Sequence, residues 1–302
     1  MKHLFIVNPA AGSRDRTEEY RQEIERVCGE KNLDYRIEIS QAPGECRKFA
    51  ADAAATGEDY RIYACGGDGT LNEVVSGVVG CPNVAVTHFA GGSGNDFVRI
   101  FSDPSAFRDL DRLTDSEETL CDVIRCNDSY ALNVCSVGFD ARIGTDIARY
   151  KRLPHMGGFR AYALSAVVNV IRGIAEHYVI EVNGRKIDDK KAMVCICNGQ
   201  YYGGGFHPVP TSDPRDHQFD VLIVEKVSRL RVAMVIGKYK DGRYSEFPQY
   251  IHHLQTDKIT IHCDKPTGIN LDGELLIAED VNVSLIPDGI RFFYPRGLQI
   301  VT

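Results

Sequence analysis

Three glycine-rich turns carry residue types and spacings that could do chemistry on a phosphate. They are Asn8-Pro9-Ala10-Ala11-Gly12, Gly66-Gly67-Asp68-Gly69-Thr70 and Gly91-Gly92-Ser93-Gly94-Asn95-Asp96. Each directly follows a short apolar run that reads as a β-strand, and the second opens a helical pattern. Glycine lets the backbone approach an anion closely, and free N–H groups at a helix start attract negative charge. The turns are not a GxxxxGK[ST] loop, and Gly66-Gly67-Asp68 does not continue as GxGxxG. What sets them apart is a carboxylate inside an anion-binding turn. Asp68 would repel a phosphate unless a cation lay between them. Mg²⁺ suits that place, because it binds through few carboxylates, waters and substrate phosphates. Asp96 in the third turn and Asp122 further along are expected to complete an acidic cluster around it.

Such turns need a scaffold that brings them to one place. Residues 1–120 alternate apolar runs at 4–7, 35–39, 61–65 and 84–89 with helical patterns at 17–31, 44–56, 71–79 and 105–113. That alternation predicts βαβ units and a mainly parallel sheet, in which ligands bind beyond the carboxyl ends of the strands. All three turns follow strands and would lie at that edge. From about residue 121 to 290 the texture changes to a run of strands, expected at 120–126, 130–137, 178–182, 192–197, 219–224, 258–263, 281–286 and 290–294. Only 159–174 and 228–238 read as helices, and Asn183-Gly184 and Asp288-Gly289 read as turns between strands. The expected fold is therefore a mainly parallel α/β domain, with anion-binding turns at its carboxyl edge, followed by an antiparallel β-sandwich or barrel. The segment at about 290–302 is expected to return to the first domain.

Composition narrows the classes. The 302 residues hold 35 Lys+Arg and 42 Asp+Glu, a formal charge of −7, which argues against nucleic acid as a partner. No apolar run approaches the ~18 residues of a membrane span, and the first residues read as a strand, not a signal peptide. Ten cysteines are irregularly spaced with no CxxC pair. Buried free thiols in a reducing cytoplasm are the expectation. Cys195-x-Cys197 should put both thiols on one strand face.

Gly66–Thr70, continuing as Leu71-Asn72-Glu73, resembles the catalytic domain of the diacylglycerol kinase and sphingosine kinase family, above all its soluble bacterial members. The likeness extends to Asn8-Pro9 with Gly12, to Asn95-Asp96-Phe97 with Arg99, and to Asp272-Gly273-Glu274. The resemblance implies that ATP is held by Asn8, Pro9, Ala10, Ala11, Gly12, Ser40, Gly66, Gly67, Asp68, Gly69, Thr70, Leu71, Asn72, Glu73, Ser93 and Asn95. It implies that Asp68, Asp96 and Asp122 organise a catalytic Mg²⁺, with Asp68 and Glu274 as catalytic residues and Glu274 as general base. It further implies a structural Mg²⁺ at Asp213, Asp216 and Gln218. The sequence departs there: Arg215 stands at a neighbouring acidic position, and His217 follows Asp216 where Gly is usual.

The implied activity is an ATP- and Mg²⁺-dependent kinase acting on a lipid alcohol, diacylglycerol first. The alternatives are an NAD kinase sharing the Gly-Gly-Asp-Gly-Thr turn and a non-catalytic nucleotide or lipid sensor. A lipid acceptor requires membrane access. Residues 142–160 interleave Arg142, Arg149, Lys151, Arg152 and Arg160 with apolar side chains, against the one acid Asp146. Such a segment could rest on anionic lipid heads at the inner face of the membrane. Sandwich edge strands could pair two copies of the chain.

Overall fold

The computed structural model describes residues 1–12, 14–139, 141 and 175–301. The basic segment at 142–160 and the helical stretch at 159–174 lie outside the described residues. The chain forms two compact units. The first comprises Met1–Val123, Pro214–His217 and Ile286–Thr302, and the second Ile124–Asp213 and Gln218–Leu285. The elements run β1 (Lys2–Val7), α1 (Thr17–Glu30), β2 (Tyr35–Ile39), α2 (Glu45–Ala55), β3 (Tyr60–Gly66), α3 (Asp68–Val78), β4 (Val84–Ala90), α4 (Leu110–Thr114) and β5 (Ser116–Cys126). After these come β6 (Ser129–Ala131), β7 (Val134–Gly138), β8 (Glu176–Val182), β9 (Arg185–Cys197), β10 (Phe219–Glu225), α5 (Arg229–Lys240), β11 (Ile251–Thr256), β12 (Lys258–Leu271) and β13 (Glu274–Pro295).

In the first unit β2, β1, β3 and β4 pair in parallel, and β13 adds beside β4 through Arg291 and Phe292. Strands β1 and β3 carry apolar runs without alternation because both faces are covered: Leu4, Phe5, Ile6, Ile62, Tyr63 and Ala64 are fully buried. Helix α1 buries Tyr20, Ile24, Val27 and Cys28, one stripe at helical spacing. Where one helix was expected over 105–113, a 3₁₀ turn (Pro104–Arg108) is followed by α4. The Asp103 and Asp109 carboxylates accept from Ser105 N and Arg112 N, so each short piece has its own cap.

The second unit is antiparallel. Strand β9 pairs β8 through its charged first half, and β7 and β10 through its apolar second half. Strand β12 likewise pairs β8 and then β7, bending at a register shift between His262 and Thr267, with β13 along its length. One core lies between these layers, filled by residues such as Cys135, Tyr178, Val194, Phe219, Ile261 and Val283. A second core, with Met193, Cys195, Cys197, Leu222 and Tyr239, packs the opposite face of β9 and β10. Cys195 and Cys197 lie on that one face with sulfurs 3.5 Å apart, and all ten cysteines are free thiols.

Three local expectations are corrected. The strand expected at 130–137 is broken between β6 and β7, because the amides of residues 132–134 are taken by the Asp272 carboxylate. Asn183-Gly184 does reverse the chain between β8 and β9, but Asp288-Gly289 lies inside β13. There the φ of +53° at Asp288 kinks the strand, and Gly289 O accepts Gly80 N at 2.8 Å. Residues 214–217, expected in the sandwich, belong to the first unit.

Candidate active site

The three turns meet within the first unit. In the first, Asn8 Oδ1 accepts Ala10 N at 3.0 Å, and Asn8 Nδ2 donates to Thr70 Oγ1 of the second turn at 3.1 Å. Gly12 lies at φ +87°, and a Cβ there would sit 3.4 Å from Gly91 O of the third. Pro9 and Ala11 are half-buried, and Ala10 and Gly12 are exposed. Ser40 is buried at the end of β2, its N–H bonded to Val7 O at 2.9 Å.

The second and third turns are knotted at one carbonyl. Gly66 O accepts Gly91 N at 2.7 Å, Gly92 N at 3.1 Å and the imidazole Nε2 of His88 at 2.9 Å. A carbonyl only accepts, so Nε2 carries the proton of His88. Burial lowers the pKa of this ring below the ordinary histidine value. The backbones touch: a Cβ on Gly92 would lie 2.6 Å from the Gly67 Cα. Asn95, at φ +51°, closes the third turn by accepting Gly92 N at 3.0 Å and donating to Gly92 O at 2.9 Å. Ser93 is exposed at its tip. Helix α3 starts at Asp68, after Gly67 in extended conformation. Thr70, Leu71 and Asn72 are buried, so the Leu71 side chain belongs to the core and not to a ligand-facing surface. Glu73 accepts Gly44 N, at the start of α2, at 3.1 Å.

Asp68 does not face away. Its oxygens accept Asn95 N at 2.8 Å and Asp96 N at 2.5 Å, which fixes the carboxylate against the third turn. A Cβ on Gly94 would lie 2.5 Å from Asp68 Oδ2 and 3.5 Å from Asp96 Oδ2, so both carboxylates border one point. This is a hard-oxygen pair, the donor type that fits Mg²⁺.

Asp122 is not part of that pair. Among the described residues, the group with mutually close ligand atoms is Asp122, His217 and Asp288, and it excludes Asp68 and Asp96. Asp122 is fully buried and accepts His217 N at 2.8 Å, His217 Nδ1 at 3.1 Å and Asp288 N at 2.8 Å, while its own N–H donates to Pro214 O at 2.7 Å. It ties β5, the 214–217 excursion and the β13 kink together. The bond to Asp122 raises the His217 pKa. Asp122 thus already accepts bonds from protein donors, as Asp68 does from Asn95 N and Asp96 N. Asp213 and Gln218 fall in the second unit and Asp216 in the first, with Asp216 and Gln218 exposed. Glu274 is exposed at the start of β13 in the second unit. Sequence reasoning missed His88, whose signal is a histidine inside an otherwise apolar strand.

A sheet with glycine turns at its carboxyl edge and paired carboxylates among them is an arrangement suited to phosphate chemistry. Two family profiles match: "Diacylglycerol kinase catalytic domain" over residues 2–128, and "YegS C-terminal NAD kinase beta sandwich-like domain" over residues 133–294. The second spans more than half of the chain, and the protein belongs to this diacylglycerol kinase-like family of lipid kinases. A Staphylococcus carnosus protein named "Putative lipid kinase" is 26% identical over 268 residues, covering 86% of each chain. Two structures from Bacillus anthracis share the fold. One, titled a "putative diacylglycerol kinase", has a TM-score of 0.78 at 23% identity and covers 98% of this chain and 97% of its own. The other, titled a diacylglycerol kinase, has a TM-score of 0.72 at 20% identity and covers 100% of this chain and 98% of its own.

Proposed function

We propose that the protein transfers the γ-phosphoryl group of ATP to the hydroxyl of a lipid alcohol, diacylglycerol first, giving phosphatidic acid. The observation that carries this reading is the meeting of the three glycine turns, with Asp68 and Asp96 bordering one point where the second meets the third. Phosphoryl transfer is mainly positioning plus neutralisation of charge on the transferred group. The turn backbones approach the phosphates, Asn8 and Thr70 set their spacing, and Ser40 and Glu73 flank the nucleotide. Asp68 and Asp96 would hold Mg²⁺, which when bound neutralises phosphate charge. Glu274 accepts the proton of the acceptor hydroxyl.

The test is ATP-dependent transfer of labelled phosphate into dispersed diacylglycerol, with NAD as the competing acceptor. A positioned base is worth about 10²–10⁴ in rate, so Glu274→Gln should lower turnover at least ~10²-fold, and Asp68→Asn comparably, with the fold intact. Normal lipid phosphorylation by Glu274→Gln removes Glu274 from its role. Preference for NAD, or nucleotide binding without turnover on any lipid alcohol, replaces the reading with one of its alternatives. No helix among the described residues is long and apolar enough to cross a membrane. The basic segment at 142–160 is the proposed lipid-surface contact. Unchanged vesicle flotation after charge reversal of Arg149, Lys151 and Arg152 would refute it.

A further inference from the structure

We infer that Asp272 is a positioning residue: its carboxylate clamps the β6–β7 loop and so fixes the turn that presents Glu274. This rests on the proposed role of Glu274. The two acids of Asp272-Gly273-Glu274 stand in very different surroundings. Asp272 Oδ2 accepts Leu132 N at 2.5 Å and Asn133 N at 3.1 Å, and Oδ1 accepts Asn133 N at 3.0 Å and Val134 N at 2.8 Å. Three successive backbone amides thus form one anion-binding concavity around a single side chain. The backbone closes the clamp from the other direction, since Asp272 N donates to Val134 O at 3.1 Å.

The turn itself is a tight two-residue reversal, with Leu271 paired opposite Glu274. Asp272 and Gly273 lie at φ +50° and +97°, and Gly273 N donates to Asn270 Oδ1 at 2.9 Å. Behind the loop, Asn198 Nδ2 donates to Leu132 O at 2.7 Å, and Asn198 N and Gly199 N donate to Asn133 O at 2.8 and 3.0 Å. Leu132, Asn133 and Asn198 are each at most 4% exposed, so the clamp is anchored to a buried polar floor. The lone pairs of Asp272 that face the loop are committed to N–H donors, and a proton arriving there would have to displace one. Glu274, two residues on, is exposed and is the acid left to exchange protons with a substrate.

Hydrogen exchange at residues 132–134 and steady-state kinetics with MgATP and dispersed diacylglycerol test this in the full-length protein. In Asp272→Ala the three amides should exchange at least about tenfold faster. Turnover should fall by about 10²-fold, the cost of a misplaced group. The KM for ATP should stay within about twofold, because nucleotide binding is untouched. Asp272→Asn keeps the shape and one acceptor oxygen, guards against misfolding, and should retain an intermediate rate. In it the acid limb of the pH–rate profile should stay where the wild type has it, and Glu274→Gln should abolish that limb. Unchanged exchange in Asp272→Ala refutes the clamp. An acid limb lost in Asp272→Asn but kept in Glu274→Gln makes Asp272 the base and overturns the inference. Accelerated exchange with no transfer by the wild type to any lipid alcohol supports the clamp and refutes the kinase reading.

Discussion

Gly92→Ala tests whether the second and third glycine turns truly abut. Gly92 lies outside the left-handed region, so alanine meets no backbone penalty there, only a steric one. Its Cβ would stand 2.6 Å from the Gly67 Cα and 3.0 Å from Asn95 Oδ1. Carbon atoms settle near ~3.5 Å, so the second and third turns must part by about 0.9 Å. That displacement falls on a bond already in place between the turns, Gly92 N to Gly66 O at 3.1 Å. Stretched by that amount, it exceeds hydrogen-bonding range. Overpacking of this kind costs about 1–3 kcal/mol. At roughly 2–4 °C per kcal/mol for a unit of this size, the melting temperature should drop by about 2–12 °C. Turnover with ATP should fall by about 10²-fold, the usual consequence of a ~1 Å misplacement. Gly67→Ala is the control. Its Cβ would lie 3.4 Å from the Gly92 Cα, ordinary contact, at φ −100°. It should cost under about 1 kcal/mol, the modest loss of glycine at a helix start. Differential scanning calorimetry and a coupled kinase assay read both effects. A Gly92→Ala protein with wild-type melting temperature and turnover would refute the contact between the turns, and with it the shared phosphate site.

Buried polar groups give two further outcomes. His3 is pushed down to about 4, first by burial and then by the Arg61 charge, from an ordinary value of 6.5. Its neutral form is what folding favours, so this stability is complete above pH 6.5 and is lost as pH falls toward 4. At about 1.4 kcal/mol per pH unit the loss totals about 3 kcal/mol. His3→Gln should flatten the decline of melting temperature over that window, and an unchanged slope would refute the assignment. Asp122→Ala leaves the amides of His217 and Asp288 without their acceptor. It should cost about 2–5 kcal/mol in denaturant unfolding. The loss should be equal with and without EDTA, and a loss confined to Mg²⁺-containing buffer would show that Asp122 acts through the metal instead.

The sequence by itself determined the local features. Apolar runs without alternation set the buried strands, helical spacing of Tyr20, Ile24, Val27 and Cys28 set the packed face of α1, and glycines beside Asp68 and Asp96 marked the turns proposed to take an anion and a cation. These are legible because neighbouring residues determine them. Tertiary structure alone decided which partner each polar group takes. His88 meets the Gly66 carbonyl 22 residues away, Asp122 meets Asp288 166 residues away, and Asp272 meets Asn133 139 residues away. The same chemistry took opposite forms accordingly. Asn183-Gly184 reverses the chain because two strands on either side of it pair with each other. Asp288-Gly289 only kinks a strand, because Asp122 holds the Asp288 amide and β4 pairs with Arg291 and Phe292 just beyond. A hydrogen-bond donor specifies that it must be satisfied but not by whom. The choice belongs to whatever the folded chain brings within about 3 Å.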